Sequence, residues 1–136
     1  MILTKSFGYA LRSILYLALK SNEKLKVQAD EIASQLAVPK YFLSKVMKKV
    51  VKNGILTSTK GPYGGFSLNN HTLSTSLLEL ANITNSFDSV NNCVLRLDKC
   101  DTNQPCPLHS RMLSYKKDFY TLFETTTIGD LIKQEE

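Results

Sequence analysis

The chain has 136 residues, enough for one compact domain with a real core and too few for two independent ones. Hydrophobic residues make up 43% and charged residues 21%, and with 6 glycines and 4 prolines the composition excludes collagen-like, low-complexity and disordered classes. The formal charge of +5 hides an asymmetry: residues 1–70 carry 11 basic and 3 acidic side chains, whereas residues 71–136 carry 6 and 9. A basic front half points to a polyanion, most simply nucleic acid.

From Ser6 to Lys20, Phe7, Ala10, Leu11, Ile14, Leu15 and Ala18 recur at spacings of three and four, which predicts an amphipathic first helix. The apolar run Ser13 to Leu19 within it lies between Arg12 and Lys20 and is far too short for a membrane span or an export signal. A cytoplasmic protein is therefore expected. After a polar break, Ala29, Ile32, Ala33 and Leu36 define a shorter helix with Asp30 and Glu31 in its first turn, where the helix dipole favours acids. Pro39 suits the first position of a third helix, with Leu43, Val46, Met47 and Val50 on its buried face and Asn53-Gly54 as its stop.

Ile55 to Thr59 and Phe66 to Leu68 read as two strands joined through Lys60-Gly61-Pro62-Tyr63-Gly64-Gly65, a beta hairpin. Ser76-Leu77-Leu78-Glu79 has the form of a capping box opening a fourth helix. Thr84 to Gln104 is polar, lacks a sustained period and reads as a functional loop. Pro107 opens a long helix in which Leu108, Met112, Tyr115, Phe119 and Leu122 form a heptad-like seam, and a short helix, Ile128 to Lys133, follows.

The predicted fold is mainly α with a small β hairpin: a winged helix-turn-helix plus a long C-terminal helix whose seam suits either a dimer interface or packing on its own domain. Residues 1–83 form the DNA-binding region, 84–106 a cysteine-rich loop, and 107–136 the long helix and tail, all within one structural domain. On the third helix Lys40, Tyr41, Ser44, Lys45, Lys48, Lys49 and Lys52 share the face opposite the apolar strip. Such a face can enter a major groove, Tyr41 and Ser44 reaching bases or phosphates while the lysines supply charge. Pro39 opens that helix; in the wing, Lys60, Gly61, Pro62, Tyr63, Gly64 and Gly65 combine a cation with backbone able to approach a phosphate or groove floor closely.

Cys93, Cys100, Cys106 and His109 follow the spacing Cys-x6-Cys-x5-Cys-x2-His. An odd set of cysteines is not a disulfide framework, but four soft or borderline ligands suit a metal, and the residues alone leave iron-sulfur and zinc open. A Cys106-His109 thiol enzyme is a further reading, but no orienting carboxylate or phosphate loop accompanies the pair, and a non-enzymatic protein is expected.

The chain resembles the Rrf2 family of bacterial winged-helix regulators across nearly its whole length. The likeness lies in Met1-Ile2-Leu3-Thr4-Lys5, Tyr9-Ala10-Leu11, Glu31-Ile32-Ala33, Val38-Pro39-Lys40-Tyr41-Phe42-Leu43-Ser44-Lys45, Asn53-Gly54-Ile55-Leu56 and Lys60-Gly61-Pro62-Tyr63-Gly64-Gly65-Phe66-Ser67-Leu68. Lys60 stands where the family usually has Arg, which keeps the charge and loses the planar fork. The resemblance implies a sequence-specific transcriptional regulator that binds palindromic double-stranded DNA as a homodimer through the helix from Pro107 to about Glu124. It also implies an iron-sulfur cluster sensing redox state, nitric oxide or cluster supply. In the IscR-like branch, three cysteines and a histidine at the position of His109 hold a 2Fe-2S cluster, the favoured type here. A 4Fe-4S cluster is the other type, but the carboxylate that completes it in the NsrR-like branch is replaced by Gly8. Zinc binding or direct thiol oxidation is the alternative for the same regulator.

Overall fold

The computed structural model describes residues 4–23, 25–85 and 108–135. Among these residues six helices and one hairpin follow in the order α1 (Lys5–Lys20), α2 (Ala29–Leu36), α3 (Lys40–Lys52), β1 (Leu56–Thr59), β2 (Gly65–Leu68), α4 (Leu77–Ile83), α5 (His109–Thr125) and α6 (Ile128–Glu135). The mainly helical fold class with a two-stranded antiparallel hairpin is as predicted.

Local chemistry sets most boundaries. Thr4 caps α1 by accepting the Phe7 N–H, and Ser76 caps α4 by accepting the Glu79 N–H at 3.1 Å, half of the predicted capping box. Helix α2 ends with Ala37 in the left-handed region (φ 54°), the Val38 N–H closing back on the Ala33 carbonyl. That closure turns the chain into α3 within three residues. Pro39 is extended (φ −62°, ψ 128°) and is the N-cap of α3 rather than its first helical residue, which is Lys40. Gly54, at φ +80°, follows the last turn of α3 and releases the chain into β1.

One apolar core joins the elements. Phe7, Ala10, Ile14 and Leu17 of α1 meet Ile32 of α2, Leu43, Val46, Met47 and Val50 of α3, and Leu77, Leu80 and Ala81 of α4. Buried hydroxyls in this interior are satisfied locally: Ser13 donates to the Tyr9 carbonyl, and Thr72 to the carbonyl of Ile55. Tyr16 of α1 donates to Glu31 of α2 at 2.7 Å, and this bond to a carboxylate, aided by desolvation, raises the phenol pKa above its usual value.

The hairpin pairs Leu56 with Leu68 and Thr59 with Gly65, and the register continues one step sideways. Val27, just before α2, exchanges both backbone hydrogen bonds with Phe66, at 2.9 and 2.8 Å, so that the turn end of β2 is stitched to the start of α2. At the other end of the chain α6 is held by backbone bonds from Ile128 and Gly129 to the carbonyls of Thr75 and Leu73. No described helix is long and apolar enough to cross a membrane.

Candidate nucleic-acid interface

The surface in question is built by α3 and the wing. Helix α3 buries Leu43, Val46, Met47 and Val50 and exposes Lys40, Tyr41, Lys45, Lys48, Lys49 and Lys52, the division its periodicity predicts. Ser44 is half-buried beside them. Tyr41 is 74% exposed, and its ring lies under the ammonium of Lys45, with Nζ 4.7 Å from the ring centroid. A tyrosine and a lysine one helical turn apart thus form a partly ordered pair, a cation held against an aromatic face. Phe42, on the flank between the two strips, meets Tyr9 of α1 edge to face at 5.4 Å and fixes the start of α3 on the core.

Lys40 is engaged within the chain. Its Nζ lies 2.6 Å from Asp30 Oδ1 at the start of α2, with both side chains largely exposed. The sequence marks Asp30 as a dipole partner only; the contact with α3 arises because the tight α2–α3 turn folds one helix start back beside the other.

In the wing, Lys60, Gly61, Pro62 and Tyr63 are exposed, and Tyr63, at 93%, is the most open large hydrophobic side chain among the described residues. The three wing glycines divide by role. A Cβ on Gly64 would run into the Thr59 carbonyl, and one on Gly65 (φ +139°) would meet the Val27 carbonyl, so these two serve the packing of the hairpin on itself and on α2. Gly61 (φ +103°) has open space around it, and its left-handed backbone shapes the turn closed by Gly64 N–H donating to the Gly61 carbonyl. Of the three, Gly61 alone has open space where a Cβ would stand.

Cys93, Cys100 and Cys106 lie outside the described residues, and His109 enters as the first residue of α5. Among the described residues no three His, Cys, Asp or Glu side chains come together in a metal-binding arrangement. The donor set itself, three thiols and an imidazole, has the soft chemistry that iron-sulfur clusters and zinc both accept.

Helix α5 turns one strip inward. Phe123 is buried and stacks between Phe7 of α1 at 5.6 Å and Phe119 at 4.5 Å, while Leu113, Tyr115, Tyr120 and Leu122 are exposed. The predicted seam therefore divides: Met112 and Phe119 belong to the inward strip, and Tyr115 and Leu122 lie on one outer flank. Leu113 and Tyr120, also seven residues apart, lie on the other flank.

A compact helix-turn-helix followed by a hairpin, with lysines on the second helix of the pair, defines a winged-helix DNA-binding regulator. Residues 3–134 match the Rrf2 family, described as iron-dependent transcriptional regulators, and the chain belongs to that family. A protein named as an HTH-type transcriptional regulator from Aquifex aeolicus is 35% identical over all of this chain and 94% of its own length. The regulator NsrR of Shouchella clausii is 27% identical, covering 100% of this chain and 91% of that one. Among solved structures, CymR, the global cysteine regulator of B. subtilis, shares the fold with a TM-score of 0.74 at 16% identity, covering 98% of each chain. IscR of T. potens does so at 0.71 and 19%, over 98% of this chain and 88% of that one. The protein is a DNA-binding transcriptional regulator and not an enzyme.

Proposed function

We propose that the protein acts in the cytoplasm as a homodimer on palindromic operators, with the α3 helices of two copies in successive major grooves and the wings beside them. The observation that carries this reading is the exposed cation strip of α3 together with the exposed turn Lys60–Tyr63, on the half of the chain that holds 11 of the 17 basic residues. Pro39, Lys40, Tyr41, Ser44, Lys45 and Lys48, with Lys60 through Gly65, form the contact set. The lysines neutralise phosphates, Tyr41 and Ser44 approach bases or sugar-phosphate, and Gly64 and Gly65 contribute by keeping the wing in shape. Residues 1–83 are the DNA-binding region, 84–106 the sensor loop and 107–136 the dimerisation helix and tail.

Two copies meet through α5. Its apolar positions extend over both flanks of the inward strip, more than its own chain covers, and a second copy presents the same chemistry in return. Cys93, Cys100, Cys106 and His109 hold an iron-sulfur cluster, the 2Fe-2S type being favoured because the set supplies three thiolates and an imidazole. When bound, the cluster supplies a centre that responds to redox state, nitric oxide or iron-sulfur supply. The chain's own contribution is transmission. The loop leaves α4 and rejoins the fold at α5, and α4 packs against α1, α3 and α5, so a change in the loop acts on the recognition helix and the dimer helix together.

The deciding experiment purifies the protein without oxygen and records its ultraviolet-visible spectrum, iron and acid-labile sulfide, then duplex binding before and after cluster loss. Visible bands, iron and sulfide, all removed by Cys100→Ala together with the cluster-dependent change in DNA binding, support the reading. A colourless protein that refuses reconstitution and binds DNA equally well assigns the cysteines to zinc or to direct thiol oxidation. Metal analysis and thiol titration then separate those two.

A further inference from the structure

The first turn of α2 touches both elements of the proposed interface. Gln28 is the N-cap residue of α2, yet its side chain does not cap the helix; Nε2 donates instead to the carbonyl of Pro62 at 3.0 Å, across 34 residues of sequence. Two residues later Asp30 holds Lys40 at the start of α3. The N-cap position favours short side chains that cap, so a glutamine here forgoes local helix stabilisation for a contact elsewhere.

The backbone pairing of Val27 with Phe66 fixes β2 near the turn end of the hairpin. The exposed apex, Lys60 to Tyr63, lies beyond that pairing, and Gln28 reaches it at Pro62. A loop ordered before it meets its ligand loses less entropy on binding than one that must be ordered at that moment. We propose that Gln28 is a positioning residue for DNA binding, its amide holding the wing apex so that Lys60 meets the same duplex that α3 enters. Asp30 sets Lys40 from the same turn, so that one short segment spaces the two halves of the interface. The inference rests on the nucleic-acid reading of α3 and the wing.

The test is fluorescence anisotropy of purified full-length protein with a labelled mixed-sequence duplex and with the tightest duplex selected from a random-sequence pool, in a salt series. Gln28→Ala is expected to weaken binding about fivefold, the size of one net hydrogen bond. Gln28→Glu keeps the shape and loses the donor, and is expected to repeat that loss with an unchanged melting curve. Lys60→Ala weakens the parent, but in the Gln28→Ala background it costs little more, because an unheld wing no longer delivers the lysine. A melting effect alone, without this coupling to Lys60, marks a merely structural role and overturns the proposal. Parental affinity in Gln28→Ala, losses that simply multiply, or a Lys60→Ala variant that binds like the parent overturn it as well. A parent protein that binds neither duplex overturns the nucleic-acid reading itself, and this inference with it.

Discussion

Helices α3 and α5 each bury one strip against their own chain and leave the remainder outside, but the outer strips differ in chemistry. That of α3 is lysine-rich, with one tyrosine held under a lysine; that of α5 includes Leu113, Tyr115, Tyr120 and Leu122, between 47% and 66% exposed. Exposed ammonium groups are well solvated and need no partner to be stable, so the α3 face tells of function through its sign and its shape. Four large apolar side chains on one helix are different, because water at such a surface favours covering it. One helix is thus suited to a ligand that comes and goes, the other to a partner that stays.

The largest effect should come from the inner strip of α5. Phe123→Ala removes the ring stacked between Phe7 and Phe119 and should destabilise the fold by about 3–5 kcal/mol, visible as a lower denaturant midpoint. An effect below 1 kcal/mol would mean that α5 is poorly seated on the core. The next concerns the outer flank. Leu122→Asp should leave the melting curve of the monomer unit nearly unchanged but place an unpaired carboxylate in the dimer contact, weakening association by on the order of 3 kcal/mol or more. Sedimentation at micromolar concentration should then show monomers, with operator binding lost alongside. A dimer of parental affinity would assign the interface to another face.

On α3 the expected change is smaller and of another kind. Lys45→Ala should lower duplex affinity and reduce the slope of log K against log salt by about one, with helical content intact. Tyr41→Phe keeps the ring beneath Lys45 and should bind nearly as the parent, whereas Tyr41→Ala releases the ammonium and should fall toward the Lys45→Ala level. Equal binding by Tyr41→Ala and the parent would show that the pair has no part in recognition.

Local chemistry explains why so much of this was legible in the sequence. Caps, a proline before α3, a glycine after it and apolar spacing within each helix are short-range signals, and they place α1 to α4 and the hairpin within a residue or two. What the periodicity of α5 cannot say is which neighbour each strip meets. Spacing of four and three groups Tyr115 and Leu122 with Phe119, while the structure turns Phe119 toward Phe123 and leaves the other two outside. Glycine in the wing likewise suggests room for a ligand, whereas Gly64 and Gly65 are required by the backbones of Thr59 and Val27. Contacts between distant segments, Gln28 with Pro62 and Asp30 with Lys40, leave no local trace; of the site, the charged face was readable and its internal bracing was not.

The smallest expected effect concerns α5's successor, α6, whose first turn carries a local electrostatic cap. Asp130 accepts the Thr127 N–H at 3.0 Å, and its own N–H donates to the Thr127 hydroxyl at 3.2 Å, a reciprocal cap at the start of α6. The bond from the Thr127 backbone N–H foremost, and after it the Thr127 side chain, hold the Asp130 carboxyl below its usual pKa of 3.8. A carboxyl whose pKa is lower in the folded than in the unfolded chain stabilises the fold above the unfolded value and loses that contribution as pH falls through the folded one. Asp130→Asn should therefore flatten part of the acid limb of the stability profile below about pH 4 and leave the neutral and alkaline range with a constant offset. Because Asp130 is exposed, the change should be slight and should shrink further in salt. An acid limb that is identical in the two proteins would mean the carboxylate cap is not formed in solution, and that α6 is held by the backbone bonds of Ile128 and Gly129 and by the burial of Ile128.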